Sequence, residues 1–138
     1  MQNAIRIVLV DDNTLFRHGL KKLLQNAPNL DVVGDAESAE EAIVLSNQLM
    51  PDVVVTDLVL GRMSGIELIR QLRRDEAKGP RVVAMSAHSE AASIAEAAAA
   101  GACAFVSKLV MTDEIVNAIR RTVSDERCSA TATTGKGD

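Results

Sequence analysis

Five polar residues of this chain follow directly on runs rich in apolar, β-branched side chains. Asp11 and Asp12 come after Ile5 to Val10, Asp57 after Asp52 to Thr56, Ser86 after Arg81 to Met85, and Lys108 after Ala104 to Ser107. Carboxylates at close range repel, and their charged forms are costly together. A cation is the usual remedy. Hard oxygen donors favour Mg²⁺, which keeps several of its waters and takes few carboxylates, and Asp11, Asp12 and Asp57 suit that role. A site filled in this way attracts a phosphoryl group. Mg²⁺ and Lys108 can neutralise its oxygens, and Ser86 can donate a hydrogen bond to them. One carboxylate is then placed to act as a nucleophile and form an acyl phosphate. Phosphoryl transfer asks mostly for positioning and charge stabilisation, and this set of groups supplies both.

Each residue taken singly has an ordinary reading. An aspartate at a strand end caps the following helix, a lysine is a solvated surface group, and a serine belongs to a turn. The chemistry follows only if the strands bring them to one edge. The pattern alternates strand and helix almost throughout. A buried strand is predicted at Ile5 to Val10. A helix follows at Asn13 to Ala27, with Leu15, Phe16, Leu20, Leu23 and Leu24 on one face. Asp12 or Asn13 can cap it, and Pro28 stops it. A short strand, Val32 to Asp35, precedes a helix opened by Ser38, with Glu41 completing a capping box. Pro51 closes that helix before the strand Asp52 to Thr56. Ser64 and Glu67 repeat the capping box for a helix ending near Lys78, with Gly79 and Pro80 beyond it. Arg81 to Met85 is a strand, Glu90 to Ala100 an alanine-rich helix stopped by Gly101, Ala104 to Ser107 a strand, and Thr112 to Ser124 the last helix. Five such units imply an α/β fold with a doubly wound parallel sheet. In these sheets ligands bind beyond the carboxyl ends of the strands, at the switch in strand order.

The 138 residues suit one domain. Hydrophobic residues make up 47% and aromatics 1%, from Phe16 and Phe105 alone, so the core must be built of Val, Ile, Leu, Ala and Met. The net charge of -4 and the lack of a basic face argue against direct nucleic-acid contact. The basic run Arg70 to Arg74 reads as a solvated helix end. Cys103 and Cys128 match no metal spacing. Cys103 reads as a buried, inert thiol, Cys128 as a thiol in a polar tail, and no disulfide is expected. No apolar stretch is long enough to span a bilayer and no signal peptide is visible, so a reducing, cytoplasmic setting is expected. Residues 1–124 are predicted to form the domain, and 125–138 a flexible tail or interdomain linker.

The ordered set of Val8-Leu9-Val10-Asp11-Asp12, Val54-Val55-Thr56-Asp57-Leu58, Met63-Ser64-Gly65-Ile66-Glu67-Leu68, Met85-Ser86-Ala87-His88 and Phe105-Val106-Ser107-Lys108 resembles the receiver domain of bacterial two-component response regulators. The resemblance runs from about Ile5 to Val123. It implies a flavodoxin-like sheet of order 2-1-3-4-5, with Asp57 as phosphoacceptor and Ser86 and Lys108 contacting the phosphoryl group. Asp11, Asp12, Asp57 and the Val59 backbone carbonyl would hold Mg²⁺. Phe105 would be the aromatic that turns inward as Ser86 moves. It further implies a signalling switch rather than an enzyme, a sensor histidine kinase as partner, and possible homodimerisation on phosphorylation. The stretch Asn13 to Leu20 resembles the NarL and FixJ subfamily, whose members carry a helix-turn-helix output domain. Any DNA contact would then lie in a domain absent from this chain. The alternatives are a stand-alone receiver acting through protein contacts, or an unphosphorylated pseudo-receiver, though the latter typically lacks an acidic residue or the lysine. Val59 and His88 flank the site and would control water access to the phosphate. Gly61 and Arg62 depart from the family pattern of proline and glycine, and Leu109 stands where many receivers have a proline.

Overall fold

The computed structural model of the chain describes residues 4–74, 79–87, 91–109, 113–125 and 128. Five strands alternate with five helices: β1 Ile5–Val10, α1 Thr14–Gln25, β2 Leu30–Ala36, α2 Ala39–Leu49, β3 Val53–Asp57, α3 Gly65–Leu72, β4 Arg81–Ser86, α4 Ala91–Ala100, β5 Ala104–Ser107 and α5 Asp113–Ser124. The strands form one sheet of order β2-β1-β3-β4-β5, and every pairing is parallel. The expected fold class and strand order are both found. α3 closes at Leu72, with Arg73 as its cap, short of the expected end near Lys78. Lys78 itself, Glu90, Thr112 and most of the segment after Asp125 lie outside the described residues.

The run of β-branched residues explains the sheet. β1, β3 and β4 are central, so both their faces are buried. Alternate residues serve opposite sides. Ile7, Leu9, Val53, Val55, Val83 and Met85 pack with Leu20 and Leu24 of α1 and Ile115 and Ile119 of α5. Val8, Val10, Val54, Val82 and Ala84 pack with Ala42 of α2, Leu68 and Ile69 of α3 and Ala97 of α4. Ala97 is the one buried residue of α4 among those described, so that helix is held by little apolar area.

The three N-caps form as expected, but the capping boxes do not close: Glu41 Oε1 accepts from the Glu37 amide at 3.0 Å, and the Glu67 carboxylate from Arg70 and Gln71. Asn13 Oδ1 accepts from the Phe16 amide at 2.9 Å, Ser38 Oγ from Glu41 at 3.1 Å, and Ser64 Oγ from Glu67 at 3.1 Å. Three further expectations fail. Leu15 does not join the buried face of α1 but is 83% exposed, and the guanidinium of Arg17 is buried in its place. The run at Arg70 to Arg74 is not simply a solvated helix end. Arg73 is buried, donating to the Pro80 carbonyl at 3.2 Å and the Cys128 carbonyl at 2.7 Å. Cys103 and Cys128 are joined in a disulfide, with their Cα atoms 5.6 Å apart. Their separation of 25 residues hid a proximity that only the return of the chain past α5 creates.

One glycine links the fold to the strand-end aspartate. Gly65 opens α3 directly against the end of β3, where an added Cβ would lie 2.6 Å from Leu58 Cα and would also collide with the Asp57 carbonyl oxygen. Gly19, in the middle of α1, has nothing within 4 Å of its position for a Cβ. Helix propensity alone favours alanine at both. Urea unfolding should therefore show Gly19→Ala more stable by up to about 1 kcal/mol, and Gly65→Ala less stable by about 1–3 kcal/mol through forced displacement of β3.

Candidate functional site

The carboxyl ends of β1, β3, β4 and β5 bring the five polar residues to one edge. Asp11 follows β1 and is 1% exposed. Its Oδ1 accepts from the Asn13 amide at 2.9 Å, and its Oδ2 accepts from Lys108 Nζ at 2.7 Å. Asp57, the last residue of β3, is also buried. Its Oδ1 accepts from the Val59 amide at 3.1 Å and its Oδ2 from Lys108 Nζ at 2.8 Å. The lysine thus spans two carboxylates 46 positions apart in sequence, from a strand two places along the sheet from β3. Asp12 is exposed beside them. One carboxylate oxygen from each of Asp11, Asp12 and Asp57 lies within 4.8 Å of the others. Three hard oxygen donors this close suit a divalent cation such as Mg²⁺.

Lys108 is set by its neighbours and by the sheet. Its amide donates to the Ser86 carbonyl at 2.8 Å, extending the β4–β5 ladder past the strand ends. Its Nζ lies 4.1 Å from the centroid of the Phe16 ring, a favourable place for a cation. Burial works to lower its pKa. The hydrogen bonds and charges of Asp11 and Asp57 outweigh that, and the group is held above the ordinary lysine value of 10.5.

Two contributors were missed by sequence reasoning. Arg17 Nη1 donates to the Asp11 carbonyl at 2.7 Å, and its Nε to Asp35 Oδ2 at 2.7 Å. It thereby ties the end of β1 to β2, and its charge lies behind the aspartate backbone. Phe16 places its ring under Lys108. The available signal was an arginine one turn before Leu20 on the apolar stripe of α1, where a side chain must be buried and therefore paired.

Ser86 ends β4, is 3% exposed and lies in register with Ser107. It lines a cleft between α3 and α4 together with Val59, Ser64 and Ile66. Phe105 is half-buried against the cluster beneath α4, on the sheet face opposite Val106. Val59 is 64% exposed at the rim, and its amide, rather than its side chain, engages Asp57. His88 lies outside the described residues.

Residues 7–120 match the response regulator receiver domain. The chain belongs to that family. This receiver is 34% identical over 116 residues to the transcriptional regulatory protein LiaR of Bacillus subtilis, covering 84% of this chain and 54% of the relative. It superposes with a TM-score of 0.85 on the signal receiver domain of a response regulator NarL from Mycobacterium tuberculosis, at 31% identity, covering 91% of this chain and all of the other. A two-component response regulator of the LuxR family from Aurantimonas gives 0.84 at 34% identity, over 96% of this chain and 94% of that one. The chain spans about half the length of the curated relatives it matches. These relatives are response regulators, signalling switches with roles in transcription regulation, and not classical enzymes. The family binds Mg²⁺ at an acidic pocket, and the aspartate cluster of this receiver can hold such an ion.

The raised pKa of Lys108 has a definite sign. A lysine held above its unfolded value stabilises the fold fully below about pH 10.5, and that contribution is lost as pH climbs through the folded value. Metal-free protein should therefore lose stability in this alkaline range, followed by denaturant melts. Lys108→Met should remove that part of the dependence.

Proposed function

We propose that this receiver takes a phosphoryl group on Asp57 from a phosphohistidine of a sensor histidine kinase. The observation that carries the reading is the bridging of Asp11 and Asp57 by Lys108, with Asp12 within 4.8 Å of both. A carboxylate oxygen of Asp57 attacks the phosphorus, the phosphorus–nitrogen bond breaks, and the kinase imidazole leaves. Asp57 Oδ2 already faces a cation, so an added phosphoryl oxygen would meet Lys108 without rearrangement of the sheet. The Val59 amide, now on Asp57 Oδ1, holds the carboxylate plane in place for the attack. Mg²⁺, held by Asp11, Asp12, Asp57 and the Val59 carbonyl, would supply the charge neutralisation that draws the phosphoryl group in.

Once formed, the dianionic group attracts the Ser86 hydroxyl, and Phe105 occupies the space behind it. α4, with its single buried alanine among the described residues, is the helix least held against such a change. Repacking of α4, β5 and α5 would then alter homodimerisation or the contact with an output domain. The relatives are transcription regulators, which supports a DNA-binding output domain outside this chain, with residues 1–124 as the receiver and the segment from 125 as the start of a linker. No described helix is long and apolar enough to cross a membrane, and a cytoplasmic site of action suits a kinase-driven switch.

Incubation with a small phosphodonor and Mg²⁺, followed by intact-mass measurement, should add one phosphoryl group per chain. Asp57→Asn should abolish the addition, and Lys108→Ala should slow it at least tenfold. Undiminished labelling of Asp57→Asn would overturn the assignment.

A further inference from the structure

The disulfide lies far from the aspartate cluster, at the opposite end of β5, and the phosphoacceptor reading makes no use of it. Cys103 precedes β5, an edge strand of the sheet, and Cys128 follows α5. The bond therefore closes a loop containing all of β5 and α5. β5 carries Phe105 and leads directly into Lys108. We propose that this pair is a reversible thiol-redox site. When oxidised it locks Cys128 to the entrance of β5, and when reduced it leaves Cys128 held there by Arg73 alone among the described contacts.

Three observations carry the proposal. First, the backbone geometry permits the bond, since the Cα separation of 5.6 Å falls in the range disulfides use. Second, Cys128 is seated by groups other than sulfur. The Arg73 guanidinium donates to its carbonyl at 2.7 Å, and Cys128 is 8% exposed. Arg73 is fixed in turn by the Pro80 carbonyl and by Gly101, whose backbone lies against the arginine stem so closely that a Cβ there would be 2.8 Å from Arg73 Cγ. Cys128 is thus held beside Cys103 through its backbone as well as through the bond, so closure needs little further ordering. Third, Cys103 is half-buried and lines an open cleft with Phe105, Arg121 and Ser124, so a small thiol or disulfide can approach it. In the reducing compartment proposed above, a disulfide is more often a redox sensor than a permanent brace.

The exchange balances without any cofactor. The thiolate of one cysteine attacks a sulfur of a low-molecular-weight disulfide, breaking its S–S bond and releasing one small thiol. The second cysteine attacks the mixed disulfide and releases the other. Two electrons pass to the oxidant, and the two cysteine protons end on the two released thiols. A dithiol reductant reverses both steps.

The test uses the whole chain in glutathione buffers of graded ratio, quenched with an alkylating reagent and weighed. Two populations should exchange with a two-electron dependence, one carrying both alkyl groups and one carrying neither. In the oxidised form, amide hydrogen exchange in β5 should slow at least tenfold while β1 and β3 stay unchanged. The melting temperature should rise on the order of 10 °C. The doubly substituted Cys103→Ser, Cys128→Ser chain should match the reduced protein under every buffer. Both thiols alkylated throughout, a bond that no glutathione ratio reduces, or equal β5 exchange in the two forms would each overturn the proposal. No readout involves Asp57, so failure here leaves the phosphoacceptor reading untouched.

Discussion

The arrangement depends on one ammonium group. Lys108 Nζ lies 2.7 Å from Asp11 and 2.8 Å from Asp57, two carboxylates almost fully withdrawn from water. Without a cation between them, each would meet the other's charge in a medium that screens poorly. The lysine can reach them only because β5 lies in parallel register beside β4, which in turn pairs with β3. Strand order and register are therefore both expressed in two hydrogen bonds. The ring of Phe16 below and the raised lysine pKa are further consequences of the same placement.

The same logic explains why so much of the surroundings is rigid and small. Gly65 lets α3 begin against the carbonyl of Asp57, and Arg17 holds the carbonyl of Asp11 from behind. These contacts fix the backbone of two carboxylates whose side chains must stay a few ångströms apart. Asp12, by contrast, is exposed and free of such fixtures among the described contacts. It suits a ligand that completes a site when an ion arrives better than one that shapes the site beforehand. The helix least anchored, α4, stands on the side of the sheet where Ser86 and Phe105 are found. The fixed carboxylates thus stand close to a loosely held helix.

Much of this was legible in the sequence. Runs such as Val53 to Val55 and Val82 to Met85 could only be strands buried on both faces, and the capping serines marked where α2 and α3 begin. The position of Asp11, Asp57 and Lys108 at strand ends was enough to foresee their meeting. What escaped was chemistry that violates the pattern. Leu15 occupies an apolar position of α1 yet points to water, while Arg17 and Arg73 are buried because backbone carbonyls and Asp35 receive them. A charged side chain is ordinarily assigned to the surface even where, as at Arg17, it falls on an apolar stripe. The cysteine pair escaped for another reason. Contact between residues 103 and 128 arises from the chain returning past α5 onto Arg73, and spacing alone carries no trace of that return.

The central claim is that this edge of the sheet carries out phosphoryl transfer to one aspartate. Its most direct measurement is chemical mapping. Protein phosphorylated by a small donor is treated with borohydride, which converts an acyl phosphate of aspartate into homoserine, and the digested chain is sequenced by mass spectrometry. The account predicts homoserine at position 57 alone, formed only when Mg²⁺ is present during labelling. Homoserine at another aspartate, or labelling at position 57 that proceeds as fast without a divalent ion, would contradict it.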